Sequence, residues 1–496
     1  MSVDDLQRPA PLRRPDRFFI GGQWVAPSTD RTIEVIAPAT EKVFARVAEA
    51  READIERAVA AARQAFDHGP WPRMSHAERA GYLRRIGAKL AERAPDVAYI
   101  WPNEMGMIHA MATGAANFMP TVWGSYADLA DTFPWVESRP TGMARQGYLV
   151  REPVGVVGAI IPWNGPISLI THKLAPALLA GCTVILKASP EAPGHALIMA
   201  EIVEEIGLPP GVVNVLTAGR EASETLVRHR GVDKISFTGS SAAGKRIASI
   251  MGERIGRYTL ELGGKSAAVV LDDYDIETAA NALGGAVCNL TGQVCAALTR
   301  VIVPRAKHDA MVDAIAARFA QVKVGDPFDP ATNMGPLAMG RQRDRVERYI
   351  ALGKAAGFKL AAGGGRPAHL HRGFFIEPTV FGNVDNASQI AQEEIFGPVL
   401  AVIPADSDEH AIAIANDSVY GLNGAVFTND NDRAYAVARQ FRSGTVGHNG
   451  LKTDFGIAFG GFKESGVGRE GGAPGLEAYV ELKTLLLDGA PSLLSG

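Results

Sequence analysis

Val156-Val-Gly-Ala-Ile-Ile161, Thr183-Val-Ile-Leu-Lys187, Val212-Val-Asn-Val-Leu216, Lys234-Ile-Ser-Phe237 and Tyr258-Thr-Leu-Glu-Leu262 are five short runs of strand composition. The segments between them, 167–179, 195–206, 221–229 and 242–251, carry apolar residues at helical spacing. Strand and helix in strict alternation specify a parallel sheet wound on both faces, with a crevice at the carboxyl ends of the strands. Ligands of such sheets sit in that crevice. The residues just past each strand are therefore the ones that carry function.

Outward from this stretch, a second alternating pattern runs from Ala267 to about Val446, with turn signals at Asn333-Met-Gly-Pro336 and Gly363-Gly-Gly365. It predicts a second α/β domain. Upstream, 55–66 and 77–94 read as helices lying on a core. Phe19-Ile-Gly-Gly-Gln-Trp24 predicts a first strand, preceded by a loose arm of some fifteen residues rich in Pro, Arg and Asp. At 496 residues the chain has room for two or three domains of roughly 100–200 residues. No short-period repeat or low-complexity segment interrupts it.

Fifty Lys and Arg against 54 Asp and Glu leave a net charge of −4, and no basic block is present to track phosphates, so nucleic acid is not an expected partner. Three cysteines, Cys182, Cys288 and Cys295, form no CxxC pair and are odd in number. Neither a disulfide framework nor a zinc ribbon is expected, no metal is expected, and a reducing cytoplasm fits. The N-terminus carries Asp4, Asp5 and Arg8 rather than an apolar signal core. No apolar run reaches the ~18 residues of a membrane span.

Two motifs mislead. Gly466-Val-Gly-Arg-Glu-Gly471 satisfies GxGxxG but follows Lys463-Glu-Ser465 instead of a strand, which predicts a loop. Gly239-Ser-Ser-Ala-Ala-Gly-Lys245 sits between strand and helix like a P-loop, yet Arg246 occupies the place of the magnesium-binding hydroxyl. A second near-miss, Gly264-Lys-Ser266, has Thr259 where the first glycine belongs. A nucleotide triphosphatase is the alternative these stretches raise, and it lacks its essential hydroxyl.

Gly292-Gln-Val-Cys295 places one cysteine in a short polar turn after an apolar helix at 279–287, where a ligand can reach the thiol. Cys182 and Cys288 lie inside apolar runs and read as small core residues. Glu261-Leu-Gly-Gly-Lys-Ser266 sets a carboxylate at the end of the fifth strand, beside glycines that let backbone approach a ligand. Asn164, in Pro162-Trp-Asn164, follows the first strand and offers an amide donor suited to an oxyanion. Taken singly, the cysteine reads equally well as a packed one, and an Asn or Glu at a strand end is most often a cap or a surface group.

Together and in this order, the pieces resemble the aldehyde dehydrogenase superfamily over nearly the whole chain. The resemblance rests on Pro162-Trp-Asn164, Lys187-Ala-Ser189, Phe237-Thr-Gly-Ser240, Glu261-Leu-Gly-Gly-Lys265, Gly292-Gln-Val-Cys295, Glu394-Ile-Phe-Gly-Pro398, Tyr420-Gly-Leu422 and Phe459-Gly-Gly461. It implies an NAD(P)-dependent oxidation of an aldehyde to an acid, with Cys295 as nucleophile and a thioester intermediate. Asn164 and the Cys295 N–H would hold the oxyanion, and Glu261 would activate water. A coenzyme A-acylating variant and a catalytically silent copy of the fold are the other readings. Intact Cys295, Glu261 and Asn164 speak against the silent one.

The same resemblance implies a cofactor site strung along the strand ends: Ile161, Pro162 and Trp163, then Lys187 and Ser189, then Gly219, then Phe237, Thr238, Gly239 and Ser240, then Leu262 and Gly263. Glu394 and Phe396 would join them from the second domain. The substrate would meet Gly165, Leu169, His172, Val294, Ala296, Phe455 and Phe459. Gly165 and His172 stand where many relatives acting on short aldehydes carry aromatic rings, which implies a wide tunnel and a bulky hydrophobic aldehyde. Pro190 stands where NAD-preferring relatives carry glutamate, with Glu191 adjacent; NAD is expected, with NADP possible. Ala458 replaces a usual proline before Phe459. The implied domains are 1–128, 150–263 and 455–478 for the cofactor, and 264–454 for catalysis. A small β element at 129–149 and 479–496 would make a homo-oligomer, because Leu482-Lys-Thr-Leu-Leu-Leu487 is an apolar strand needing a partner.

Overall fold

The computed structural model describes residues 8–492. Its first sheet has eight strands. Five parallel strands form the middle, in the order Arg257–Glu261, Lys234–Thr238, Val156–Ile160, Thr183–Ala188 and Val213–Thr217. The chain starts at the central strand Val156–Ile160, winds to one side, then returns to the other, so the crevice opens between Val156–Ile160 and Lys234–Thr238. Register sets the strand ends level there: Ile160 lies opposite both Lys187 and Phe237, and Thr238 opposite Glu261. Both faces are buried. Val157 and Ala159 join one core, Val156 and Ile160 the other, which is why these strands read as unbroken apolar runs.

Three expectations are corrected at the edges. Phe19–Trp24 is a hairpin, Phe18–Ile20 paired with Gln23–Val25, because Gly21 and Gly22 both take positive φ and close a two-residue turn. Gly466–Val467, expected as loop, is a short strand that hydrogen-bonds antiparallel to Arg257–Glu261. The arm is docked from residue 8 onward: the Arg13 N–H donates to Glu201 Oε1 at 2.8 Å and its guanidinium pairs with Glu205 at 2.6 Å. Asp4 and Asp5 lie outside the described residues.

The second sheet has seven strands, ordered Lys359–Ala362, Thr379–Gly382, Val399–Ala405, Leu298–Pro304, Ser266–Val270, Asn423–Phe427 and Thr445–His448. All pair in parallel except the first, an antiparallel edge. In the three-stranded sheet, Val480–Leu487 pairs along its whole length with Gln146–Pro153, which in turn carries Val136–Arg139. The expected boundary at 149/150 falls inside Gln146–Pro153, and that at 128/129 inside the helix His109–Thr132. The segment 77–94 is one helix, His76–Glu92, followed by a second, Ala94–Met105, whose first turn holds Pro95. No helix among the described residues is long and apolar enough to cross a membrane, and no cluster of metal-ligating side chains occurs among them.

Candidate active site

A cavity of about 570 Å³ opens where the strand ends of the first sheet face the second. Cys295 reaches it from the helix Ile276–Cys288 through a sharp reversal: Leu290, Thr291 and Gly292 all take positive φ. At Gly292 a Cβ would collide with the Gly397 carbonyl, so only glycine fits. The Gln293 side chain then locks the turn, donating to the Leu290 carbonyl and accepting from the Ala338 N–H, both at 2.9 Å. Cys295 is half-buried on the cavity wall, whereas Cys182 and Cys288 are buried away from it.

Asn164 lies between the strand Val156–Ile160 and the helix Pro166–Ala180. Its side-chain amide donates to the Gln293 carbonyl at 3.0 Å, and its own carbonyl accepts from the Trp101 indole at 3.2 Å. The amide is thus tied to the cysteine turn, with a second N–H left to aim at a ligand. Glu261 ends the strand Arg257–Glu261 on the same cavity. It is 2% exposed, yet neither carboxylate oxygen meets a hydrogen-bond partner among the described residues. Burial and then the charge of Glu470 push its carboxyl well above the ordinary range, against the opposing pull of Lys173 and Arg469. Burial, with Glu394 and Glu261 nearby, also pushes the Cys295 thiol up to about 12. A thiol and a carboxyl whose charged forms are both disfavoured thus face one enclosed space.

The glycines of Glu261-Leu-Gly-Gly264 serve close approach. A Cβ on Gly264 would strike the Cys295 carbonyl, and one on Gly263 the Glu394 carboxylate. The Gly264 N–H donates to Glu394 Oε1 at 3.0 Å. Burial raises the Glu394 carboxyl to about 7. Phe396 takes φ +60° and turns its ring edge-on to Trp163 at 5.4 Å. Ser240 caps the helix Ser241–Glu253, its Oγ accepting from the Ala243 N–H at 3.3 Å, and Thr238 Oγ1 is buried without a hydrogen-bond partner among the described residues. Pro162, Gly239 and Leu262 complete this end of the cavity.

The remaining strand-end residues lie beyond the cavity lining. The Ile161 N–H donates to the Lys187 carbonyl at 3.2 Å, and Gly219 caps the helix Arg220–Arg228. The Phe237 ring packs beneath Gly239. Lys187 is buried rather than solvated, and burial lowers its ammonium to about 8. Ser189 Oγ donates to Glu191, whose carboxylate also binds Arg341 of the helix Gly340–Ala355. Burial works to raise that carboxyl, but the Ser189 and Arg341 bonds outweigh it and hold it low. Of the P-loop look-alike, Lys245 pairs with Glu464 at 2.8 Å and Arg246 with Glu224 at 2.8 Å, so both cations are committed to protein partners.

Gly165, Leu169, Val294, Ala296, Phe455 and Phe459 line the cavity. His172 does not: it is buried behind Phe455, stacked on that ring at 4.2 Å. Residues that no local pattern announced also line it: Trp101, Met107, Ala115 and Met119 from the helices Ala94–Met105 and His109–Thr132 and their link, and Leu290, Ser168 and Thr453. Gln342 and Arg345 enter from the helix Gly340–Ala355 and bond to the carbonyls of Phe396 and Ile395, at 2.6 and 3.2 Å, holding the loop that carries Glu394.

Against known proteins, the model of the Aldehyde dehydrogenase family matches residues 24–485. The geranial dehydrogenase of Castellaniella defragrans is 42% identical over 473 residues, spanning 95% of this chain and 98% of its own. Among solved structures, an aldehyde dehydrogenase of Mycobacterium tuberculosis complexed with NAD+ aligns with a TM-score of 0.93 at 46% identity, over 95% of this chain and 98% of the other. Aldehyde dehydrogenase C of Pseudomonas syringae, a mutant complexed with NAD+ and octanal, aligns with a TM-score of 0.94 at 38% identity, over 98% of this chain and 100% of the other.

Proposed function

The chain belongs to the aldehyde dehydrogenase family, and from that premise we propose that it oxidises a bulky, neutral, hydrophobic aldehyde to its acid with NAD, through Cys295, Asn164 and Glu261. The residues present fit the cofactor. Among the described residues Thr238 Oγ1 and both Glu261 oxygens are buried with unused hydrogen-bond capacity, and Ser240, at the N-terminus of the helix Ser241–Glu253, lines the cavity, where a helix start favours an anionic pyrophosphate. Ile161, Pro162, Trp163, Lys187, Ser189, Gly219, Phe237, Thr238, Gly239, Ser240, Leu262, Gly263, Glu394 and Phe396 would hold it. NAD, when bound, supplies the acceptor for a hydride.

Cys295 gives its proton to solvent water and attacks the carbonyl carbon, forming a C–S bond as the carbonyl π electrons move onto the oxygen, which becomes an oxyanion. The free Asn164 N–H and the Cys295 backbone N–H donate to that oxygen. Collapse of the oxyanion expels hydride and leaves a thioester on Cys295. Glu261 as carboxylate then takes a proton from water, hydroxide adds to the thioester carbon, and the thiolate departs to give the acid. Splitting oxidation from hydrolysis replaces one difficult step with two easier ones.

One observation carries the substrate: around Gly165 the cavity wall is apolar, built of Leu169, Met107, Met119, Trp101, Phe455 and Phe459. Such a wall rewards apolar area at roughly 25 cal/mol per Å². The similarity to a geranial dehydrogenase and to a structure holding octanal supports the same class. The test is kcat/KM with NAD across aldehydes of increasing apolar size. A rising series is expected, and a flat or falling one removes the proposal.

Glu191, fixed by Ser189 and Arg341, stands in for the carboxylate that Pro190 lacks, so NAD is preferred and NADP tolerated; a higher kcat/KM with NADP would reverse this. The outer edge of Val480–Leu487 has no partner strand among the described residues and exposes Leu482 and Leu486, which supports a homo-oligomer built through 129–149 and 479–496. Residues 493–496 of that element lie outside the described chain. Light scattering that finds a monomer would exclude the assembly. The division into 1–128, 150–263 and 455–478 against 264–454 follows the two large sheets, and limited proteolysis tests it. Three free cysteines support a cytoplasmic setting, which cell fractionation tests.

A further inference from the structure

The wall that Phe455 gives the cavity is held from behind. His172 stacks on the Phe455 ring at 4.2 Å with 20° between planes, and Phe459 stacks on it at 4.3 Å and 21°. Two near-parallel neighbours at such distances occupy opposite faces, so Phe455 offers the cavity only its edge. His172 is itself fixed by Tyr126, whose phenol lies 3.2 Å from Nδ1. Burial keeps the phenol protonated, with the Gly471 N–H beside it, so the phenol is the group that can donate to Nδ1. Burial, helped by the adjacent Lys173, pushes the imidazole down to about 3 and keeps it neutral, as an acceptor at Nδ1 must be.

The circuit then closes on itself. A Cβ on Gly471 would collide with the Phe455 carbonyl, so the two backbones are in contact. Next to it, Glu470 exchanges both backbone hydrogen bonds with Phe459, at 2.6 and 2.7 Å. Gly471, Tyr126, His172 and Phe455 thus form a loop of contacts joining two helices and two loops. Only its Phe455 corner, with Phe459, lines the cavity.

We propose that Tyr126 and His172 are positioning residues that set the width of the substrate tunnel by clamping Phe455 edge-on. This rests on the reading of the cavity as the aldehyde site. Released from the clamp, the Phe455 ring can turn about its side-chain bonds into the lumen. Large substrates lose space, and small ones do not. An edge-on ring presents its positive rim, which favours π-bearing and aliphatic groups over cations, since cations require a ring face.

The test is Tyr126→Phe, which deletes one hydroxyl and keeps the ring. The KM of a branched terpenoid aldehyde should rise about fivefold, the fold-change of one ordinary hydrogen bond, while kcat with propanal and the KM of NAD stay unchanged. In a Phe455→Leu background the same substitution should have no effect, because both act through one ring. Should Tyr126→Phe fail to fold, His172→Phe keeps a stacking ring, lacks the acceptor, and should raise the same KM. An unchanged KM, an equal change for every aldehyde, or an undiminished effect in the Phe455→Leu background would overturn the clamp. A flat size series in the wild type overturns the substrate reading instead; the clamp is still judged by the variant's large-to-small ratio relative to wild type.

Discussion

Gly165→Phe narrows the tunnel at the position where the chain departs from a ring-lined site. Gly165 caps the helix Pro166–Ala180 at φ −139°, a backbone open to side-chain-bearing residues, and a Cβ there would meet only Leu169 Cδ1 at 3.9 Å. A phenylalanine ring, of roughly 150–250 Å², can therefore enter the cavity without displacing backbone. If about half of that area takes the place of substrate contact, about 100 Å² is lost to a bulky aldehyde, or about 2.5 kcal/mol at the usual transfer value. That predicts roughly a fiftyfold to hundredfold fall in its kcat/KM. Acetaldehyde does not reach this wall and should change by less than about twofold. NADH absorbance under steady-state conditions reads both values. Equal losses for the two aldehydes, or full activity on the bulky one, would refute the reasoning.

Cys295→Ala should abolish oxidation while NAD affinity, followed by intrinsic fluorescence, stays within about twofold; Cys182→Ala and Cys288→Ala should retain turnover. Glu261→Gln should release NADH in a burst and accumulate an acyl adduct visible by intact mass, because the hydrolytic base is gone. In the wild type, burial raises both the Cys295 thiol, to about 12, and the Glu261 carboxyl, so the inactive protonated forms persist to higher pH and kcat/KM should climb with pH above the ordinary carboxylate range. A profile falling over that range would contradict the assignment. Lys173→Met strips the buried Glu470 carboxylate of its ion-pair partner and should cost about 3–5 kcal/mol in urea unfolding, with much of it regained in Lys173→Met/Glu470→Leu.

The fold was legible where a single physical rule governed a segment. Val156–Ile160 and its four parallel neighbours are buried on both faces, so their apolar runs could only be strands of a covered sheet. Strand ends then located Asn164 and Glu261, because position past a strand is position in the crevice. Where two rules met, the reading was incomplete. Gly21-Gly22 is both a strand interruption and a hairpin turn, and only its pair of positive φ values separates them. His172 is expected in the tunnel from the resemblance, and every residue from Ile170 to Ala180 is buried, so periodicity carries no direction there to correct it. Trp101, Met107 and Met119 join the cavity through packing between distant helices, for which the sequence holds no local sign.

Charge inside the tunnel yields the last expectation. Of the lining residues only Glu261, Glu394 and Arg345 are ionisable apart from Cys295. Burial raises both carboxyls, which disfavours their charged forms, and Arg345 is occupied by the carbonyls of Glu394 and Ile395. Both faces of Phe455 are covered. A quaternary ammonium would therefore give up its water for a space whose two carboxyls are biased toward their neutral forms, at an effective penalty of several kcal/mol. Betaine aldehyde and 3,3-dimethylbutanal share one shape and differ in that charge. The neutral isostere should be turned over with a kcat/KM at least about a hundredfold higher, the equivalent of about 2.7 kcal/mol. Comparable values for the two would mean that the tunnel holds an anionic or cation-accepting surface, and the neutral-substrate reading would fall with them.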